Sequence, residues 1–168
     1  MSRTFLIADT HFNHFNVIKY ENRPWATVEE MDSAMIRLWN SVVRPEDRVY
    51  HLGDFSMNKK GLMLAQHLNG RKILIKGNHD TQKLHNYIPF FDDIRAMHQL
   101  GKFLLTHSPV HPDQKYRFDG NIHGHIHSKN VLLPDGKIDP WYICVSVEHI
   151  NYTPILFEEV QKRFYGHR

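Results

Sequence analysis

Short apolar segments that each run into polar residues are the dominant pattern of this chain. Such segments cover residues 5–8, 49–52, 73–75 and 103–105. Apolar runs of this length, bounded by Gly, Asn, Asp or His, are typical of buried β-strands that end in loops. The pattern therefore predicts four buried strands, each with a polar loop close behind it.

Between and after these strands, the apolar positions change to the period of a helix. Thr27-Val28-Glu29-Glu30 is a capping-box sequence, and it predicts the start of an amphipathic helix that ends before Pro45. Three further helices are predicted: one over residues 60–68, closed by Asn69-Gly70, a short one after Asp80, and one over residues 158–165.

The later part of the chain is richer in strands. Residues 94–98 and 102–106 flank Gln99-Leu100-Gly101 as the arms of a hairpin would, and residues 142–147 and 152–156 are predicted as further strands. Strands that alternate with helices early and cluster later favour an α/β fold with two sheets face to face and helices outside. At 168 residues, the chain is expected to form a single domain, residues 1–168.

Composition narrows the classes of function. Cys144 is the only cysteine, so no disulfide can form within the chain, and no apolar stretch approaches the ~20 residues of a membrane-spanning helix. The first strand begins almost at residue 1, which leaves no room for a cleavable signal. These features predict a cytoplasmic protein with no membrane partner. The net charge of +3 is compatible with an anionic substrate, while the scattered Lys and Arg residues do not indicate binding to extended nucleic acid.

The polar residues behind the predicted strands form an ordered set of motifs. Because sites in α/β sheets form at the carboxyl ends of strands, these loops are expected to converge on one point. Their mixture of carboxylate, amide and imidazole groups suits manganese, iron, cobalt, nickel or zinc, and disfavours magnesium or calcium alone. In chain order the motifs are Asp9-Thr10-His11, Gly53-Asp54, Gly77-Asn78-His79-Asp80, His107 and Gly124-His125-Ile126-His127.

In this order, the motifs resemble those of the calcineurin-like metallophosphoesterase superfamily, whose members hydrolyse phosphate esters with two adjacent metal ions. Stretches such as Arg23-Pro24-Trp25 and Tyr152-Thr153-Pro154-Ile155 resemble its small bacterial and phage-type members. The resemblance implies a four-layer α-β-β-α sandwich of the metallophosphoesterase type. It also implies a centre of two divalent ions, with manganese favoured by analogy with the family.

The resemblance also implies roles for individual residues. Asp54 is the candidate for a carboxylate that bridges the two ions, since it follows a Gly turn at the end of a predicted central strand. A metal-bridging hydroxide would attack phosphorus, and His79 would protonate the leaving-group oxygen or stabilise the charge that develops there. By the same resemblance, Asp9, His11 and His127 would complete one metal site, and Asn78, His107 and His125 the other.

Four further residues are candidates for binding the substrate. His14 follows the first motif closely, so it is assigned to orienting a ligand or contacting phosphate. Arg23 has two interpretations of equal weight, a bidentate clamp on a phosphate oxygen and an anchor for its own loop. Lys115 and Arg117 lie in the long polar segment 108–120, which leaves directly from His107 and is predicted to contact the substrate.

The chain also departs from its relatives in this superfamily. Serine/threonine protein phosphatases carry an Asp-Arg pair soon after Gly-Asp, and an Arg directly before Gly-Asn-His. Here Gly53-Asp54 is followed by Phe55-Ser56, and Lys76 precedes Gly77. The clamp for a phosphomonoester dianion and the carboxylate that orients the catalytic His are both missing, which argues against a protein phosphatase.

A diester carries less charge, so the favoured function is a phosphodiesterase acting on a small or nucleotide-like substrate. The alternatives are a phosphomonoesterase or nucleotide pyrophosphatase with the same centre and, more remotely, a protein-interaction scaffold on this fold. A homo-oligomer is compatible with the sequence, which does not determine the oligomeric state.

Overall fold

A computed structural model describes residues 2–166; Met1, His167 and Arg168 lie outside this range. Nine strands and five α-helices are found within it. The strands are β1 (Thr4–Ile7), β2 (Arg48–His51), β3 (Arg71–Ile75), β4 (Asp93–Arg95), β5 (Met97–Leu100), β6 (Phe103–Thr106), β7 (Gly120–His123), β8 (Tyr142–Cys144) and β9 (Ile155–Leu156). The helices are α1 (Phe15–Tyr20), α2 (Val28–Val42), α3 (Lys59–Met63), α4 (Leu84–Tyr87) and α5 (Phe157–Gly166).

The strands form two mixed sheets, which confirms the α/β class. The first sheet has the order β4-β3-β2-β1-β9, with β1 to β4 parallel and β9 antiparallel to β1. The second sheet has the order β5-β6-β7-β8, in which β6, β7 and β8 are parallel and β5 is antiparallel. The strands that precede the polar motifs, β1, β2, β3, β6 and β7, are all among the parallel strands of these sheets.

Alternating side chains of the first sheet face two different cores. Phe5 and Ile7 of β1 pack with Met35 and Trp39 of α2 in a core between this sheet and the helices. Leu6, one residue away, belongs instead to a core shared with β6 and β7 of the second sheet. Because neighbouring residues of a strand point to opposite faces, β1 serves both cores. Val160 and Phe164 of α5 belong to the core between the sheets.

The predicted helices are present, with changes at their ends. The capping box of α2 is confirmed, since the Glu30 N–H donates to Thr27 Oγ1 and the Glu30 carboxylate accepts from the Thr27 N–H. The helix predicted over residues 60–68 is shorter: α3 ends at Met63, and a 3₁₀ turn over Leu64–His67 follows. Such turns are frequent at the ends of α-helices.

The predicted hairpin was wrong in its first arm. Met97–Leu100 does pair with Phe103–Thr106, but Ile94 lies in β4, which pairs with β3 in the other sheet. Only Ala96 separates β4 from β5, so the chain passes directly from one sheet to the other. The alternation of side chains is the same in both sheets and does not reveal which neighbour a strand pairs with.

The last two predicted strands are shorter than expected. In the segment 152–156 only β9 pairs, because Pro154 has no N–H to donate and Tyr152 has a positive φ of 58°. In the segment 142–147, β8 ends at Cys144, and a 3₁₀ turn starts at Val147. No helix within residues 2–166 is long and apolar enough to cross a membrane.

Asp47, directly before β2, links the residue before β1 to the loop that follows α2. Its carboxylate accepts hydrogen bonds from the backbone and guanidinium of Arg3 and from the Arg44 N–H. Burial opposes the ionisation of Asp47, but these hydrogen bonds outweigh it and lower its pKa to about 2. Its stabilising effect is therefore complete above the ordinary carboxyl pKa of about 4 and is lost as the pH falls toward 2.

We expect Asp47→Asn to lower the free energy of unfolding at pH 7 by about 1–3 kcal/mol, because charged hydrogen bonds are replaced by weaker ones. The difference from the wild type should shrink as the pH falls from about 4 toward 2. Urea denaturation at several pH values measures both effects. The exposed neighbour gives a matched control, Glu46→Gln, which should change stability little. An equal loss in that control would indicate a general charge effect instead.

Candidate metal centre

All of the polar motifs follow strands whose carboxyl ends lie at the same edge of the two sheets. The first three motifs follow β1, β2 and β3, and the last two follow β6 and β7. The sheets are tied together at this edge, where the Ala8 N–H donates to Val145 O and the Val147 N–H donates to Ala8 O. Loops that are distant in sequence therefore meet in space.

The first group of converging side chains consists of Asp9, His11 and His127. One potential ligand atom of each lies within 4.8 Å of the others. Oδ1 of Asp9 and both ring nitrogens of His11 are buried without a hydrogen-bond partner among the described residues. Buried polar atoms are rarely left unpaired, and a bound cation is one of the accepted explanations.

The second group consists of Asp54, His107 and His125, again with potential ligand atoms within 4.8 Å of one another. Nδ1 of His107 lies 2.8 Å from the carbonyl oxygen of Leu52, to which it donates. Its Nε2 then faces Asn78 Oδ1 at 2.9 Å and Asp54 Oδ2 at 3.4 Å. Electron-pair donors this close require a positive charge among them, a proton or a metal ion.

Asp54 belongs to the second group and also faces the first. Its Oδ2 is 3.6 Å from His11 Nε2 and 3.4 Å from His107 Nε2, so a single carboxylate oxygen faces both imidazoles. Its Oδ1 accepts the backbone N–H of His79 at 2.8 Å, which fixes the orientation of the carboxylate. This is the arrangement expected of a bridging ligand.

Electrostatics at the two groups favour a bound cation. Burial lowers the pKa of His11 to about 2, so its imidazole is neutral at pH 7 and keeps a lone pair for a ligand bond. Burial also raises the pKa of Asp9 to about 6. For Asp54, burial is outweighed by the hydrogen bond and charge of His107, and its pKa falls to about 2. A cation between these carboxylates would offset the cost of burying them.

The backbone at this edge is strained at the candidate ligands themselves. Non-glycine residues rarely adopt positive φ, and strain of this kind clusters at functional sites. Five of the seven candidate ligands nevertheless have positive φ: Asp9 (58°), His11 (50°), Asp54 (55°), His125 (71°) and His127 (50°).

Glycine allows two of the loops to approach closely. A Cβ at Gly77 would lie 2.3 Å from Asp54 Oδ1, and one at Gly124 would lie 2.4 Å from Asp9 Oδ2. Real Cβ atoms do not come this close to other atoms. Any residue larger than glycine at these positions would force the neighbouring carboxylate to move. The two glycines thus bring backbone directly against the two candidate carboxylate ligands.

Asp80 lies beneath the centre. Its buried carboxylate accepts the backbone N–H groups of Asp54, Phe55, Ser56 and Gly77. Asp80 thereby holds the loops after β2 and β3 against each other. No hydrogen bond to the His79 side chain is found for it within residues 2–166.

His79 and His14 both lie beside His11 of the first group. Their ring centroids lie 5.5 Å and 5.7 Å from that of His11, and both rings are partly exposed. Nδ1 of His14 is buried without a hydrogen-bond partner in the described part of the chain. Both imidazoles are therefore near enough to act on a group bound at the centre.

The other three predicted substrate residues lie differently. Arg23 is 4% exposed, and its guanidinium donates to Asp9 O, Thr10 O and Glu148 Oε1, as the loop-anchor interpretation requires. Lys115 Nζ pairs with Asp139 Oδ2 at 2.6 Å. Arg117 is exposed, with its guanidinium 5.8 Å from the ring centroid of Phe118.

Two residues that follow β8, Ser146 and Glu148, contact candidate ligands and were not predicted from the sequence. Ser146 Oγ donates to Asp9 Oδ2 at 2.6 Å, and Glu148 Oε1 lies 3.3 Å from His127 Nδ1. Burial opposes the charge on Glu148, but the hydrogen bond of His127 and the charge of Arg23 outweigh it and lower its pKa. The rule that picked out the other motifs, polar residues behind a buried strand, would have found both.

Comparison with known proteins gives relatives without an assigned activity. The chain matches no protein-family model. It is 42% identical to the uncharacterized protein MJ1445 of Methanocaldococcus jannaschii, over 96% of this chain and 91% of that protein. It is 30% identical to the Gene 66 protein of Mycobacterium phage L5, over 79% of this chain and 81% of that protein.

A solved structure shares the fold. The crystal structure of AQ665 from Aquifex aeolicus, a protein of unknown function, aligns with a TM-score of 0.75 and 29% identity, over 97% of this chain and 100% of that one. The identities of 42% and 30% to MJ1445 of Methanocaldococcus jannaschii and the Gene 66 protein of phage L5, over most of this chain, show that the chain belongs to the family that includes these two proteins.

Proposed function

We propose that this protein is a metal-dependent phosphoesterase of the calcineurin-like metallophosphoesterase type, and that it favours phosphodiesters. The observation that carries the proposal is the position of Asp54, whose Oδ2 faces His11 Nε2 of one group and His107 Nε2 of the other. Two groups of three ligand-type residues, with Asp54 belonging to one and facing the other, are what a pair of adjacent ions needs.

The architecture supports the proposal. Two mixed sheets share a core, and α1, α2 and α3 contribute to the core on the outer face of the first sheet. These are three layers of the four-layer α-β-β-α sandwich of the metallophosphoesterase type, to which we assign the fold. In such a fold, a site at the carboxyl ends of strands from both sheets is the expected place for catalysis.

The residues fit two divalent ions. Asp9, His11 and His127 would hold one ion and Asn78, His107 and His125 the other, with Asp54 shared. When bound, the two ions supply charge neutralisation on the phosphoryl oxygens and a water of lowered pKa. The mixed oxygen and nitrogen donors suit manganese, iron, cobalt, nickel or zinc, and manganese is favoured by analogy with the superfamily.

His79 is the residue that would deliver a proton. Its backbone N–H is held by Asp54 Oδ1, so the residue is fixed relative to the proposed bridging carboxylate. Its partly exposed imidazole can exchange protons with water and reach the leaving-group oxygen of a bound ester. His14, whose ring centroid lies 5.7 Å from that of His11, would contact a phosphoryl oxygen.

The distribution of cations favours a diester over a monoester. A monoester dianion needs strong cationic contacts beyond the metal ions. Arg23 is occupied by Glu148 and by backbone carbonyls, and Lys115 is paired with Asp139. A diester carries one negative charge less, so the two ions with His79 and His14 are sufficient for it.

We expect the protein to bind two Mn²⁺ ions per chain, and Asp54→Asn to lose at least one of them, because the amide has no charge to share between two cations. Metal content after gel filtration measures this. Asp113→Asn makes the same change at an exposed position and should keep both ions. Fewer than two ions in the wild type, across the metals named above, would argue against a dinuclear centre.

We expect Mn²⁺-dependent hydrolysis of bis-p-nitrophenyl phosphate to exceed that of p-nitrophenyl phosphate. His79→Ala should lower kcat by roughly 10²–10⁴-fold without loss of metal, because a positioned acid contributes about that much. The loss should be larger for phenyl than for p-nitrophenyl esters, since phenol is the poorer leaving group and needs the proton more. Steady-state kinetics with matched esters measure it.

The matched control is His85→Ala, which removes an exposed imidazole from α4 and should leave kcat unchanged. Faster hydrolysis of the monoester would favour the phosphomonoesterase, and cleavage of dinucleoside polyphosphates alone would favour the pyrophosphatase. A wild type that binds no metal and cleaves no ester would leave the scaffold interpretation.

A further inference from the structure

A buried ion pair connects three of the loops at the proposed centre. The Arg23 guanidinium donates to Glu148 Oε1 at 2.8 Å, and their side chains are only 0% and 6% exposed. The same oxygen of Glu148 lies 3.3 Å from Nδ1 of His127. Arg23 also donates to the carbonyl oxygens of Asp9 and Thr10, so the pair reaches the first motif as well as the last.

This contact determines which nitrogen of His127 carries the proton. An ionised carboxylate can only accept hydrogen bonds, so Nδ1 of His127 is the donor. The neutral ring then has its lone pair on Nε2, the nitrogen that remains for a metal ion. A carboxylate partner on the far nitrogen also makes an imidazole more basic and fixes the orientation of its ring.

The second group lacks an equivalent partner. Nδ1 of His107 donates to the uncharged carbonyl of Leu52 at 2.8 Å. Nδ1 of His125 faces another imidazole, His107 Nε2, at 3.2 Å. Among the described residues, a carboxylate behind a candidate histidine ligand is therefore found at His127 and not at His107 or His125. The two proposed metal sites differ in the charge that surrounds them.

We propose that Glu148, anchored by Arg23, is a positioning residue that raises the metal affinity of the Asp9–His11–His127 site relative to the other site. The inference rests on the proposed dinuclear centre and adds to it an order of loading, with the site beside Glu148 filling first. Arg23 acts by holding Glu148 and the Asp9-Thr10 backbone, not by contact with the substrate.

Stepwise Mn²⁺ binding by isothermal titration calorimetry tests the proposal on the full chain. Glu148→Ala should weaken the tighter of two binding steps by roughly 10–100-fold, the usual effect of losing such a partner. Glu148→Gln should recover part of this loss, because its amide oxygen can still accept from His127. The Glu148→Gln variant also keeps the test valid if Glu148→Ala does not fold, because Gln fills the same volume as Glu. Circular dichroism checks that each variant is folded.

Glu21→Gln is the matched control. Potential ligand atoms of Glu21, His127 and Glu148 lie within 4.8 Å of one another, but the described hydrogen bond of Glu21 is accepted from Ser128 Oγ and not from His127. The same loss of charge there should leave both affinities near those of the wild type; an equal weakening would show a general charge effect and overturn the positioning role.

The assignment to one site is tested in two backgrounds. With His125→Ala, which removes a ligand of the second site, Glu148→Gln should weaken the remaining ion. With His11→Ala, which removes a ligand of the first site, it should have no effect. A wild type with two ions and a Glu148→Gln variant with unchanged affinities would overturn this inference and leave the proposed function standing. A wild type without metal would overturn both.

Discussion

The geometry of the candidate centre depends on one buried carboxylate, that of Asp80. It accepts backbone N–H groups from the loops after β2 and β3, and so holds Asp54 and Gly77 against each other. Without it, buried N–H groups on both loops would lose their partner, at a cost of about 1–3 kcal/mol each. The absence of a Cβ at Gly77 is what allows the approach, since any side chain would collide with the Asp54 carboxylate.

The centre collects groups that are unfavourable together in a metal-free protein. Asp9, His11 and Asp54 are nearly inaccessible to water, and the buried ring nitrogens of His11 have no hydrogen-bond partner among the described residues. Several candidate ligands also adopt a positive φ, which ordinary side chains avoid. A rigid scaffold of two packed sheets supports this strain. Such a site is stabilised when cations bind, so metal affinity and fold stability are linked at this edge.

Much of the fold and of the candidate site could be predicted from local patterns. Short apolar runs located β1, β2, β3 and β6, because buried strands have few alternatives at that length, and the capping box located the start of α2. The ligand-type residues were predicted as a set, since each follows a strand. The pairing of β4 could not be predicted, because an alternating pattern fits either sheet. The role of Arg23, as a substrate clamp or a loop anchor, could not be predicted either. It depends on the contact with Glu148, a residue far away in the chain.

The sequence by itself therefore determined most of the helices and strands, though not α1 or β7, together with the α/β class and the chemical character of the side chains that follow the strands. These properties depend on residue type and on spacing over a few positions. Only the tertiary structure decided that Asp54 faces both groups, that Ser146 supports Asp9, and that Nδ1 of His127 meets the carboxylate of Glu148 where Nδ1 of His107 meets the carbonyl oxygen of Leu52. These relations join residues from different strands, and their distances are fixed by how the two sheets pack, which no local pattern encodes.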